Sequence, residues 1–170
     1  DTNRGRSRNE SEYELLDTGV FNDDRYFDVF VEYAKDGAED ILVQITAVNR
    51  GPEQAELHLL PTLWFRNDWA SWIAPSNRAA DQPSIKQIQA VGGASAIAAQ
   101  HSELGTFHLY CDGDAPLLFT DNTTNNDRLF PGQPNASAYV KDGINDYVVQ
   151  GRQTAVNPEH QGTKVSAHYR

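Results

Sequence analysis

The sequence contains no methionine, a single cysteine and no apolar run near the ~18 residues that a membrane span requires. The lone Cys111 excludes an internal disulfide and a thiolate metal site, because both need more than one cysteine. Basic residues are few, since 14 Lys and Arg face 24 Asp and Glu, which gives a net charge of -10 and a pI near 4.8. Such a surface repels nucleic acids and anionic lipids, so we expect neither as a partner.

The two ends of the chain predict an excised piece of a longer protein. The chain starts at Asp1 without a signal segment, and an alternating, strand-like pattern over residues 163–170 stops at the last residue. Residues 1–11 carry three arginines among polar residues and show no apolar periodicity, which is typical of a solvated linker. We therefore expect a linker over 1–11 and one incomplete domain over 12–170.

Alternation with a period of two residues dominates the sequence after the linker and indicates β-strands. Residues 25–34 and 40–48 alternate on either side of a Gly-containing loop, and a third strand over 55–65 would complete a meander, with Pro61 at a bulge or an edge. Further strand patterns lie at 85–91, 94–100, 106–111, 117–119, 147–149 and 163–169. About nine or ten strands without a sustained helical period predict an all-β fold, most economically a two-sheet antiparallel β-sandwich.

All three tryptophans lie within residues 64–72, where a strand end runs into a polar stretch. An exposed indole can bind the apolar face of a pyranose, while neighbouring polar side chains bind its hydroxyl groups. The same tryptophans could instead fill the open end of the sandwich, and the sequence leaves both possibilities open. The candidate residues of this segment are Trp64, Arg66, Asn67, Trp69 and Trp72.

A second candidate segment is the polar stretch 120–145, since a loop of that length in a compact domain is usually functional or disordered. Arg128, Asn135, Lys141 and Asp142 are suited to sugar hydroxyls or to an interdomain interface. Aspartates are abundant, but their spacing selects no catalytic pair, and the five histidines show no zinc-binding pattern. We expect no catalytic residue, metal or cofactor here, and a buried structural role for Cys111.

Several blocks of the sequence, in order, resemble bacterial proteins of glycoside hydrolase family 63, the family of the processing mannosyl-oligosaccharide glucosidase. The resemblance covers nearly the whole chain from about residue 12. The blocks are 14–21 (ELLDTGVF), 24–34 (DRYFDVFVEYA), 49–52 (NRGP), 60–67 (LPTLWFRN), 126–130 (NDRLF), 134–137 (PNAS), 139–143 (YVKDG) and 162–164 (GTK).

The resemblance implies an N-terminal β-supersandwich, followed in such enzymes by an (α/α)6 barrel that holds both catalytic carboxylates and hydrolyses α-glucosidic bonds with inversion. Nothing in this sequence matches the barrel, so we expect the chain alone to be inactive. It would pack on its own barrel, lend loops to the active-site rim, contact an α-glucoside oligosaccharide, and reside in a bacterial cytoplasm. Two alternatives stay open, an autonomous carbohydrate-binding module and a purely structural interaction domain.

Overall fold

The computed structural model describes residues 1–69 and 82–170, which form two compact units, Asp1–Leu57 and His58–Arg170. Within these ranges the chain has nine β-strands and two short α-helices, and every strand pairing is antiparallel. The predicted all-β class is therefore confirmed. No helix in the described ranges is both long and apolar enough to cross a membrane. The expected boundary between residues 11 and 12 stays a prediction.

The first unit contains a long β-hairpin. Strands β1 (Phe27–Lys35) and β2 (Ile41–Asn49) pair in continuous register along their whole length. The backbone amides of Asp36 and Gly37 both donate to the carbonyl of Asp40, which closes the connecting loop. Both strands were predicted, because alternating β-branched and aromatic residues favour extended backbone.

The register of the hairpin brings most of the apolar residues of both strands to one face. Residues directly opposite each other in an antiparallel pair share a face. We call this set the hairpin face, and it consists of Phe27, Val29, Val31, Tyr33, Ile41, Val43, Ile45 and Ala47. Much of it is exposed, with Tyr33 at 73%. Because a two-stranded ribbon is marginally stable in water, this face is suited to packing against another layer.

The second unit contains a four-stranded antiparallel sheet. It is formed by β4 (Ser84–Val91), β5 (Ala94–His101), β6 (Gly105–Cys111) and β8 (Gln161–Gly162), in the order β6-β5-β4-β8. The strands predicted at 85–91, 94–100 and 106–111 are confirmed.

A three-stranded antiparallel sheet completes the second unit. Its strands are β3 (Thr62–Trp64), β7 (Leu117–Thr120) and β9 (Lys164–Ala167), with β9 in the centre. A single buried cluster joins the two sheets and makes this unit a two-sheet sandwich, as predicted. The cluster consists of Ile85, Ile97, Ala99, Cys111, Ala115, Leu117, Phe119, Val165 and Ala167. Burial raises the pKa of the Cys111 thiol, in keeping with the structural role expected for this residue.

The predicted meander is wrong. Only residues 62–64 of the predicted strand 55–65 form β3, and β3 pairs with β9, while β1 and β2 form a separate two-stranded sheet. An isolated bridge joins Leu59 to Tyr169, and Pro61 lies between this bridge and β3. Proline has no amide hydrogen to donate, so it interrupts the ladder, although its carbonyl still accepts from Ala167.

The strand predicted at 147–149 is also wrong, because these residues belong to helix α2 (Gly143–Gln150). Ile144 is buried, Tyr147 and Val148 are half-buried, and this i, i+3, i+4 spacing defines one helix face. Gly151 ends the helix in the left-handed conformation, with φ of 66°. The polar stretch 120–145 also contains the one-turn helix α1 (Asn126–Leu129), so it is not wholly irregular.

Candidate functional site

The two segments that the sequence singles out are joined by a pair of asparagines. The Asn67 side-chain amide donates to the carbonyl of Asn122 at 2.9 Å, and the Asn122 side-chain amide donates to the carbonyl of Phe65 at 2.8 Å. The backbone amide of Asn122 also donates to Thr163 Oγ1 at 2.8 Å, just before β9. The segments therefore contribute to one surface at the end of the three-stranded sheet where β3 and β7 terminate.

The candidates of the first segment differ in exposure. Trp64 ends β3 and is 53% exposed, whereas Trp69 is half-buried. Arg66 is exposed and Asn67 is half-buried, while Trp72 lies outside the described residues and stays a prediction. Of the described indoles, Trp64 offers the larger exposed fraction to a ligand.

The second segment is held together by two asparagines. Asn125 caps α1, because its Oδ1 accepts from the backbone amide of Arg128 at 3.2 Å. Asn135 donates from Nδ2 to Asp127 Oδ2 at 2.9 Å and to Asn125 Oδ1 at 3.4 Å, and it accepts from the Asp127 amide at 3.2 Å. These reciprocal bonds position the side chains around α1.

Arg128 and Asp142 meet in an ion pair at the end of this network. Arg128 Nη1 lies 3.3 Å from Asp142 Oδ2, which also accepts from Asn125 Nδ2 at 3.2 Å. Lys141, the fourth candidate of this segment, lies next to Asp142 in the chain and is exposed, and its backbone amide donates to the carbonyl of Thr123 at 3.0 Å. Arg128, Asn135 and Asp142 thus form one bonded network, beside which Lys141 lies.

A polar depression of about 530 Å³ opens beside this network. Arg152 and Asp146 form a second ion pair in its wall, with Nη1 and Oδ2 2.9 Å apart. The lining therefore combines two guanidinium groups, two carboxylates and several amides, which suits a ligand that both donates and accepts hydrogen bonds. Its main polar residues are Asp127, Arg128, Asn135, Asp146, Gln150 and Arg152. Sequence reasoning missed the residues that α2 positions, because it interpreted that region as a strand.

Lys164 is a further residue of this surface that sequence reasoning missed. It lies on β9 directly opposite Trp64 on one side and Thr120 on the other, so the three share one face of the sheet. Its Nζ donates to the backbone carbonyl of Lys141 at 2.8 Å. Burial lowers the pKa of Lys164, the nearby Lys141 ammonium lowers it further, and Asp142 partly opposes them.

Three buried side-chain atoms in the described ranges have no hydrogen-bond partner, and all three lie in this part of the fold. They are Thr120 Oγ1, Thr123 Oγ1 and Asp142 Oδ1. Thr120 is fully buried opposite Lys164, and Thr123 is 7% exposed. Because buried polar groups nearly always have a partner, this concentration distinguishes the region around Lys164 from the rest of the described fold.

The carboxylates of this surface are engaged as hydrogen-bond acceptors. Each accepts from a neighbouring cation, amide or hydroxyl group, and they are Asp121, Asp127, Asp142 and Asp146. A glycosidase needs one carboxylic acid that donates a proton and a second carboxylate across the scissile bond. Within residues 1–69 and 82–170, no group of three or more His, Cys, Asp or Glu side chains could hold a metal ion. The arrangement can bind and orient a polar ligand.

The uncharacterized protein YMR196W of Saccharomyces cerevisiae is similar to this chain, with 33% identity over 197 aligned residues. The alignment covers 98% of this chain but 18% of the yeast protein, so the chain spans less than a fifth of the length of that relative. No family profile and no solved structure matches the chain.

Proposed function

We propose that this chain is a non-catalytic domain of a larger, inverting α-glucosidase-like glycoside hydrolase, to whose sugar-binding rim it contributes the two asparagine-linked segments. The resemblance to glycoside hydrolase family 63 suggests the enzyme class. The observation that carries the proposal is the polar depression beside α1 and α2, with donors and acceptors interspersed along its lining.

The chemistry of the depression matches that of a sugar. Each sugar hydroxyl donates one hydrogen bond and accepts others, so it pairs with carboxylates and guanidinium groups alike. Bonds to charged groups contribute about 1.5–3 kcal/mol each, more than bonds to neutral groups. The Arg128–Asp142 and Arg152–Asp146 ion pairs hold the charged groups in place before a ligand arrives.

The way in which the carboxylates are used supports the proposed non-catalytic role. Those of the surface serve as acceptors within the fold, which leaves the acid and base of the reaction to another domain. The proposed partner is the (α/α)6 barrel of the same enzyme, and the hairpin face offers an apolar surface of the kind that interdomain packing buries.

Titration of the full chain with maltotriose, followed by two-dimensional NMR, tests the proposal. We expect weak binding that shifts resonances of the depression, no turnover of an aryl α-glucoside, and weaker binding by Arg152→Ala. Arg50→Ala serves as the control, because it removes an arginine whose ion pair with Asp28 lies in the other unit. Turnover by the pure chain, or shifts that avoid the depression, would contradict the proposal.

An autonomous carbohydrate-binding module is the second candidate, favoured by the 53% exposed Trp64. A module predicts tight, saturable binding of maltotriose that depends mainly on Trp64, so Trp64→Ala would abolish it while Arg152→Ala would have little effect. A greater loss of maltotriose affinity in Arg152→Ala than in Trp64→Ala supports the rim function. Absence of any sugar binding would favour the third possibility, a purely structural interaction domain.

A further inference from the structure

Two ammonium groups of the surface form no ion pair within the described ranges. Lys164 Nζ donates to the neutral backbone carbonyl of Lys141, and the Lys141 side chain forms no ion pair within the described ranges. The nearby Asp142 pairs through Oδ2 with Arg128, and Asp121 accepts from two hydroxyl groups. Arg128, Lys141 and Lys164 thus place three cations beside two carboxylates, those of Asp121 and Asp142, on a chain whose net charge is -10.

Two buried hydroxyl groups without partners belong to residues whose backbone adjoins that of these lysines. Thr120 is the register partner of Lys164, and the carbonyl of Thr123 accepts from the backbone amide of Lys141. A hydroxyl group can donate to a phosphate oxygen in the same way as an ammonium group does. The remaining unpartnered atom, Asp142 Oδ1, is an acceptor that suits a sugar hydroxyl rather than an anion.

From this juxtaposition we propose that Lys141, Lys164, Thr120 and Thr123 form a subsite for the phosphate group of a phosphorylated sugar. The inference rests on the proposed sugar-binding function and specifies its ligand. A phosphate monoester carries about -1.5 to -2 charges at neutral pH, which matches two ammonium groups, whereas a carboxylate carries one. Binding a dianion would also remove the repulsion between the two lysines and give the buried hydroxyl groups a partner.

Trp64 specifies a phosphorylated sugar rather than free phosphate. Its side chain lies on the same sheet face as Lys164, directly across the strand pair, and it is 53% exposed. The apolar face of a pyranose can rest on the indole while its phosphate group reaches the lysines. Removal of the indole should therefore weaken binding of a sugar phosphate and leave the binding of inorganic phosphate unchanged.

Calorimetric titration of the full chain at constant ionic strength tests this subsite with four probes, glucose 6-phosphate, inorganic phosphate, glucuronate and maltotriose. We expect glucose 6-phosphate to bind tightest and inorganic phosphate to bind detectably. Lys164→Gln and Lys141→Gln should each weaken both by roughly tenfold or more. Lys86→Gln, an equal charge change at an exposed residue of β4, should have no effect. Thr120→Val keeps the side-chain volume and should weaken phosphate binding without loss of fold.

The outcomes separate this inference from the proposed function. Maltotriose binding without phosphate binding would overturn the subsite and leave the sugar-binding rim intact. Equal loss of affinity in Lys86→Gln and Lys164→Gln, or glucuronate binding as tight as glucose 6-phosphate, would also overturn it. If Trp64→Ala leaves the affinities for glucose 6-phosphate and for inorganic phosphate both unchanged, the assignment of a sugar is overturned. Loss of inorganic phosphate affinity in the lysine and Thr120 variants, with no loss in Lys86→Gln or Trp64→Ala, supports the subsite.

Discussion

Gly143 is the position where one added methyl group tests the packing of helix α2 most directly. It is buried at the start of the helix, and a Cβ there would lie 2.3 Å from the carbonyl oxygen of Ala155 and 3.4 Å from Thr120 Cγ2. Its φ is not among the positive values of the chain, so space rather than backbone conformation requires glycine. Gly143→Ala must therefore push α2 away from the 3-10 turn Gln153–Ala155.

The magnitude follows from two opposing effects. Real Cβ atoms essentially never approach another heavy atom within 3.0 Å, so the 2.3 Å contact must open by more than half an ångström. Overpacking of this kind costs about 1–3 kcal/mol. The higher helix propensity of alanine returns at most about 1 kcal/mol. We expect a net loss of about 1–2 kcal/mol in the free energy of unfolding.

Urea unfolding followed by tryptophan fluorescence measures this loss. All three tryptophans lie within residues 64–72, so the signal reports on the unit His58–Arg170 that contains α2. Asn145→Ala is the control within the same unit, because residue 145 is an exposed position of α2. Its effect should stay within about 0.5 kcal/mol. A Gly143→Ala protein as stable as the parent would refute the close packing of α2 against Ala155.

Three further variants test the surface and the core through the same unfolding measurement. Asn122→Ala removes the side-chain bond to the Phe65 carbonyl and should cost about 1 kcal/mol, whereas Asn145→Ala, at an exposed residue of the same unit, should cost little; equal losses would contradict the cross-link. Burial raises the pKa of Cys111, so stability should fall as the pH rises above about 8.5, by at most about 1.4 kcal/mol per pH unit, and Cys111→Ala should reduce that fall. An unchanged slope would count against a buried thiol. Burial lowers the pKa of Lys164 in the folded protein. Between that lowered pKa and about 10.4, the unfolded chain binds one more proton at this lysine than the folded chain does. The stability of the parent relative to Lys164→Gln should therefore rise with pH in this range. A difference independent of pH would contradict this.

Local sequence patterns predicted most of the strands correctly. In β1 and β2 alternation extends over nine residues each, and the β4–β5 turn uses Gly92 and Gly93 with φ of 58° and 84°. Such signals depend on neighbouring residues alone, so they can be seen without a fold. The prediction was wrong at 147–149, where three apolar residues fit a strand and a helix face equally well. The spacing from Ile144 and the glycine at 151 are the signals that favour the helix.

The candidate site was predicted in part. Sequence composition selected both segments and included Arg128, Asn135 and Asp142, which the fold joins in one network. Arg152 and Lys164 were missed, because their neighbours in sequence have no polar or aromatic pattern that marks a site. Arg152 contacts Asp146, 6 positions away along the chain, and Lys164 contacts the carbonyl of Lys141, 23 positions away.

The sequence by itself determined the all-β class, the strong acidity, the absence of disulfides and the two polar, aromatic segments, since each is a property of composition or of short-range periodicity. Only the tertiary structure decided that β3 pairs with β9 rather than β2, and that Trp64, Lys164 and Thr120 share one sheet face. Strand partners and register depend on which apolar faces are buried together across long separations along the chain. That choice places Trp64 and Lys164 directly opposite each other, although they lie far apart in the sequence.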